Sequence, residues 1–352
     1  MHDQKYFSGI DGLRFVAISL VLLEHFPPWI GKYFSAGYYG VDLFFTISGF
    51  LITRILCRSK EESFLKAYGI FMGRRTLRIF PVYYFAIAVL YILQYPVIHE
   101  YLIYFITYTY NYAWVYYKIP ISDVHHFWSL CVEEQFYLFW PLIVLGLRKK
   151  QQALLVFIVA IVLVGFLQTT IDILPSLSPY NSAGILTRMA SLGLGAFGAV
   201  YAMKYKLPEK IFRSIFLECI VLLVVLPVSL FFFFKLKPVV LGVVSLYLVL
   251  KAAFFSFRIT GINKFLKHRY VLYMASISYG IYVYHVPIQY YMNEYVFSPV
   301  WNKIDFSFYP KLEFHPWIFK APLYLAVTIG FAALSMRFLE RPLLKMKDRL
   351  FI

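Results

Sequence analysis

Apolar runs long enough to cross ~30 Å of hydrocarbon as helices recur along this chain, at about residues 11–30, 39–57, 78–97, 124–147, 153–173, 185–203, 213–234, 238–257, 270–292 and 318–340. The expected fold is therefore an all-α polytopic membrane protein with about ten transmembrane helices. Composition agrees: 61% of the 352 residues are hydrophobic and 15% charged, where a soluble domain is near a quarter charged. A net charge of +16 would suggest nucleic acid in a soluble chain. Here most of the 34 Lys and Arg fall in short clusters between alternate apolar runs. That is the pattern of cytoplasmic loops, so both termini are expected in the cytoplasm and no nucleic-acid partner is implied. No signal peptide is visible, because the first run contains Arg14, Glu24 and His25 and lacks a small-residue cleavage site. The tyrosine-rich segment Glu100 to Tyr117 is apolar enough to cross, yet as a crossing it would invert every later loop. It is expected to be interfacial or re-entrant. Cys57, Cys131 and Cys219 lie in or at apolar runs and suggest neither a disulfide framework nor a metal site.

The first run carries groups that a membrane helix should avoid. Arg14 and His25 are eleven residues apart, about three turns, so they share one face about 16 Å apart along the axis. Facing lipid would cost several kcal/mol, so Arg14, Glu24 and His25 are expected to turn toward a protein interior or wet cavity. Taken alone, Arg14 could equally snorkel to a headgroup and His25 be a hydrogen-bonded core residue. Arg75 and Arg78 lie one turn apart just before the third run, where a guanidinium pair can bind phosphates or simply anchor the loop. Asp42, near the start of the second run, is either a site residue or a carboxylate favoured by the helix dipole. Gly49 and Ser48 would let another helix approach closely.

In the fourth run His126, Ser129, Glu133 and Tyr137 follow one helical face, with Glu134 turned about 100° away. Counted from Asp123, Glu133 lies about 15 Å deep, which matches the depth of His25. A carboxylate beside an imidazole fixes its tautomer and stabilises the imidazolium, so Glu133 or Glu134 is expected to orient His25 as a general base. A structural role, paired with arginines or hydrogen-bonded between helices, is the other reading of the two glutamates. Arg188 either snorkels or meets an anionic acceptor, and Glu218 and Lys251 pair or snorkel. Ser278 and His285 share a face, and His285 is either an acceptor-side ligand or a satisfied polar residue before Pro287. Asp42, His126, Ser129, Arg188, Ser278 and His285 are thus the candidate substrate-binding residues. The loop from Asn293 to Trp317 is a plausible lid or acceptor platform.

No repeat, Walker motif, Rossmann glycine pattern or metal-ligand cluster occurs. Five blocks in order nevertheless resemble the acyltransferase family 3 membrane proteins. They are Gly12-Leu13-Arg14 with His25, Gly40-Val41-Asp42 running to Ser48-Gly49-Phe50, Arg75-x-x-Arg78 with Pro81, His126-Phe127-Trp128-Ser129 through Glu133-Glu134-Gln135, and Ile277-Ser278-Tyr279 to His285. The resemblance implies a multi-pass bacterial inner-membrane enzyme that moves acyl groups, usually acetyl, from cytoplasmic acyl-CoA onto carbohydrate or glycolipid hydroxyls. By that resemblance His25 is the catalytic histidine, and Arg14, Arg75 and Arg78 serve the CoA side. The co-substrate is then acetyl-CoA, with no metal. Phe15 stands where a glycine often follows the arginine, and Cys131 where a serine is usual. Residues 1–352 are expected to form one membrane domain, without the extracytoplasmic hydrolase-like domain that some members carry. The rival reading, a transporter or flippase for an anionic or glycolipid substrate, uses the same buried charges.

Overall fold

A computed structural model describes residues 7–26, 36–117, 124–171, 183–231, 237–304 and 316–350. Asp123, the ends of three apolar runs and residues 305–315 of the expected lid lie outside the described residues. Each expected run holds helix: α1 (Ser8–His25), α2 (Ala36–Cys57), α3 (Phe64–Ile92), α4 (Phe127–Leu147), α5 (Gln151–Ile171), α6 (Ile185–Lys204), α7 (Ile215–Ser229), α8 (Lys237–Phe254), α9 (Arg269–Ser276), α10 (Ser278–Met292) and α11 (Trp317–Ser335). There is no strand among the described residues, as expected where every backbone polar group must be satisfied without water. By length and composition, six helices suffice to cross a membrane: α2 to α6 and the run that begins with α11. α7 and α8 are shorter apolar helices, and α1 carries Asp11, Arg14 and Glu24.

The ninth run differs from a straight crossing. α9 and α10 meet at a 66° bend, and together they would make a seventh span. At the bend Ile277 has φ −97° and ψ 4°, and the Ser278 hydroxyl donates to the Ala275 carbonyl at 2.8 Å. A side chain that bonds the backbone in this way competes with the helical ladder.

α2 is the central element and packs against α1, α4, α6 and α8. Its contact with α6 is backbone on backbone. A Cβ on Gly49 would lie 1.9 Å from the Leu192 carbonyl oxygen, and one on Gly195 would lie 2.0 Å from that of Thr46. Small residues permit such approach where lipid offers no hydrophobic drive for helix pairing. The close approach brings Asp42 of α2 beside Arg188 of α6.

The tyrosine-rich segment holds three short helices, Pro96–Glu100, Leu102–Ile106 and Tyr110–Tyr116. None is long enough to cross at 1.5 Å per residue. Left-handed residues Gln94 (φ 53°) and Tyr108 (φ 52°) turn the chain. The segment is held on α4 by a reciprocal amide pair, with Gln135 Nε2 donating to Asn111 Oδ1 at 2.9 Å and Asn111 Nδ2 to Gln135 Oε1 at 3.3 Å. Elsewhere Arg148 at the end of α4 donates to the Ser59 carbonyl at 3.1 Å, tying down the α2–α3 loop. Glu218 and Lys251 form a fully buried ion pair. Glu218 also accepts from the backbone amides of Arg258 and Ile259 at 2.8 and 3.1 Å, so the pair clamps the chain leaving α8.

Candidate active site

Most of the expected site residues distribute over two cavities, and Asp42, Glu134 and His285 line neither. The first, of about 220 Å³, is lined by Arg14, Arg75, Arg78, Ser48, Glu133 and Tyr137, with Ser129 and Ser278. Helical spacing explains its make-up. Arg75 and Arg78, three residues apart on α3, project to one face, and Arg14 faces them from α1. Arg75 lies 5.4 Å over the Tyr137 ring, while Arg14 stands 3.8 Å from Asp11. Glu133 accepts from the Ser48 hydroxyl at 3.0 Å, which lies 3.3 Å from the Tyr137 hydroxyl. Three guanidinium groups thus face one wall carboxylate, an arrangement suited to an anion rich in oxygen.

The second cavity, of about 870 Å³, is lined by His25, His126 and Arg188, together with Glu24, His125, Gln289 and Lys320. His25 Nδ1 lies 2.8 Å from the Val21 carbonyl oxygen. A carbonyl oxygen only accepts, so the neutral ring carries its proton on Nδ1 and keeps a lone pair on Nε2. The main chain at this end of α1 is held from α10, where Gln289 Nε2 donates to the His25 carbonyl at 3.1 Å. Behind His25 stands His285, which is fully buried. The two rings meet edge to face with centroids 4.9 Å apart, and His126 lies 4.8 Å beyond. His285 Nδ1 donates to the Tyr282 carbonyl at 2.7 Å. Among the described residues no group of His, Cys, Asp or Glu has the geometry to hold a metal ion.

The structure separates some residues that sequence spacing placed together. His25 makes its Nδ1 hydrogen bond to its own helix, not to Glu133 or Glu134. The reason lies in depth. α4 begins at Phe127, so His126 stands at the level of His25, and Glu133 lies about 10 Å further toward the arginines. Glu134 lines neither cavity, and its Oε1 has no hydrogen-bond partner among the described residues. Asp42 is likewise not in a cavity wall. It is 1% exposed and pairs with Arg188, Nη1 to Oδ1 at 3.0 Å, while Ser191 donates to the same oxygen at 2.9 Å. The Arg188 guanidinium also stacks on Tyr38 at 4.5 Å and Trp128 at 4.8 Å. Asp42 therefore positions Arg188. Ser278 lines the arginine cavity, whereas His285, seven residues on, is in neither cavity wall.

Sequence reasoning missed Tyr282, Gln289 and Lys320. Tyr282 lies one turn before His285, which was the available signal. Gln289 is one further turn along the same helix. Nothing in the sequence set Lys320 apart from an anchoring lysine.

The chain is 29% identical over 374 residues to the peptidoglycan O-acetyltransferase OatA of Listeria monocytogenes, covering 98% of this chain and 57% of that protein. It is 28% identical to the O-acetyltransferase OatA of Staphylococcus aureus, with 98% and 58% covered. It is 26% identical to the putative peptidoglycan O-acetyltransferase YrhL of Bacillus subtilis, with 96% and 55% covered. The chain thus spans a little over half the length of these relatives. No solved structure matches it. A family model described as an acyltransferase domain matches residues 7–337, nearly the whole of the helical body that holds both cavities, and the chain belongs to that acyltransferase family.

Proposed function

We propose that the protein is a membrane O-acyltransferase that moves an acetyl group from cytoplasmic acetyl-CoA to a carbohydrate hydroxyl on the far side of a bacterial cytoplasmic membrane. The observation that carries this reading is the placement of His25. Its Nδ1 is committed to Val21, and its ring lines a large cavity that abuts a second one rich in arginine. The arginine cavity lies toward the basic loops, the side that positive charge marks as cytoplasmic. Its guanidinium groups suit the phosphates of CoA. The distance from Arg14 to His25 along α1 is about 16 Å, which an extended pantetheine arm covers.

At His25 the chemistry balances as follows. Nε2 takes the acceptor hydroxyl proton as the oxygen attacks the thioester carbonyl carbon. The carbon–sulfur bond then breaks, and the imidazolium returns its proton to the departing thiolate. The products are an ester and free CoA. The names of the relatives favour a cell-wall glycan as acceptor. The aromatic wall of the histidine cavity, with Tyr38, Trp128, Tyr290 and Trp317, suits a sugar face.

Free-thiol release from acetyl-CoA by purified protein, with a cell-envelope glycan extract as acceptor, tests the proposal. Release that requires both His25 and the glycan is expected. Equal release by His25→Ala overturns it.

A further inference from the structure

The two cavities have two wall residues in common, Val41 of α2 and Tyr282 of α10. Neither side chain is free to swing. The Tyr282 hydroxyl donates to the His126 carbonyl at 3.1 Å and also meets the Ser129 hydroxyl. Its ring packs edge-on against His126, centroids 5.5 Å apart, and against Phe44 at 6.4 Å. Val41 is 8% exposed, and a β-branched side chain in a helix has essentially one rotamer.

We infer that Val41 and Tyr282 form the aperture that selects the acyl group, so that the pair sets chain-length specificity. The inference rests on the acyl-CoA reading above. These two side chains are the lining residues common to both cavities, so on this inference a thioester held on the arginine side passes its acyl group between them to reach His25. Acetyl presents one methyl group to the aperture. Each further methylene must displace a clamped phenol ring or a stiff isopropyl group. Discrimination of about 10–200-fold per methylene is what an apolar site of fixed shape achieves.

The test compares acetyl-CoA and butyryl-CoA as donors for purified wild-type protein, Val41→Ala and Tyr282→Phe, each with the same glycan acceptor. Val41→Ala widens the aperture and is expected to raise the butyryl-to-acetyl ratio of kcat/KM about tenfold or more. Tyr282→Phe, which releases the ring from His126 and Ser129, shifts the ratio in the same direction. The ratio is internal to each variant, so loss of folded protein does not alter it. An unchanged ratio in an active Val41→Ala overturns the aperture and leaves the donor reading standing. Wild-type protein that accepts no acyl-CoA overturns both.

Discussion

His25 and His285 meet edge to face with ring centroids 4.9 Å apart, and His285 is itself anchored through Nδ1 to the Tyr282 carbonyl. The buried ring of α10 therefore backs the half-buried one of α1. In the proposed mechanism His285 is a positioning residue, because it lies in neither cavity wall.

Replacing His285 by alanine is expected to lower kcat by about 10²-fold, the usual consequence of an ångström-scale displacement of a reacting group. The KM for acetyl-CoA should stay unchanged. His285→Asn should recover part of the loss, since its amide nitrogen can replace Nδ1 as donor to Tyr282. Steady-state kinetics of the purified variants decide the matter, and a change confined to KM would refute the assignment.

Arg75 and Arg78 are expected to act on donor binding. A hydrogen bond to a charged group contributes about 1.5–3 kcal/mol. Either alanine substitution should therefore raise the KM for acetyl-CoA roughly tenfold or more, with kcat less affected. Donor saturation curves measure this directly. A fall in kcat at constant KM would place the arginines elsewhere in the reaction.

Asp42 should behave as a structural partner. Asp42→Ala leaves the Arg188 guanidinium buried without its counter-charge, an error worth about 3–5 kcal/mol in other buried pairs. The purified variant should lose thermal stability in detergent. An Asp42→Ala protein that melts like wild type and loses only acceptor affinity would instead make Asp42 a substrate ligand.

Gly49→Ala tests the backbone contact between α2 and α6. The new Cβ would sit 1.9 Å from the Leu192 carbonyl oxygen, so the helices must separate at a cost of at least about 1–3 kcal/mol. Gly146→Ala, where nothing lies within 4 Å, is the matched control and should cost nothing. Thermal melts of the two variants compare them.

Much of this architecture is legible in residue order. Apolar length and the spacing of basic clusters are local properties, so the helical runs follow from the sequence. The face shared by Arg14 and His25 follows from the 3.6-residue period of a single helix, and so does the pairing of Arg75 with Arg78. Gly49 signals a close helix contact because only a small residue allows one. The tyrosine-rich segment was separable from the crossings because loop charge alternates.

Relations between helices required the folded chain. The depth of Glu133 relative to His25 depends on where α4 begins, and about two turns of helix separate the carboxylate, among the arginines, from the level of the imidazole. The partner of Asp42 depends on which helix α2 touches, which the glycines permit but do not name. The two cavities meet at Val41 and Tyr282, which line both and belong to two distant helices whose residue types carry no chemical signal alone. The sequence by itself determined the membrane class, the helical runs and the residues able to do chemistry, because periodicity and hydropathy act within one segment. Only the tertiary structure decided which of those residues meet, because helix depth, rotation and packing partner are set by contacts between segments far apart in the chain.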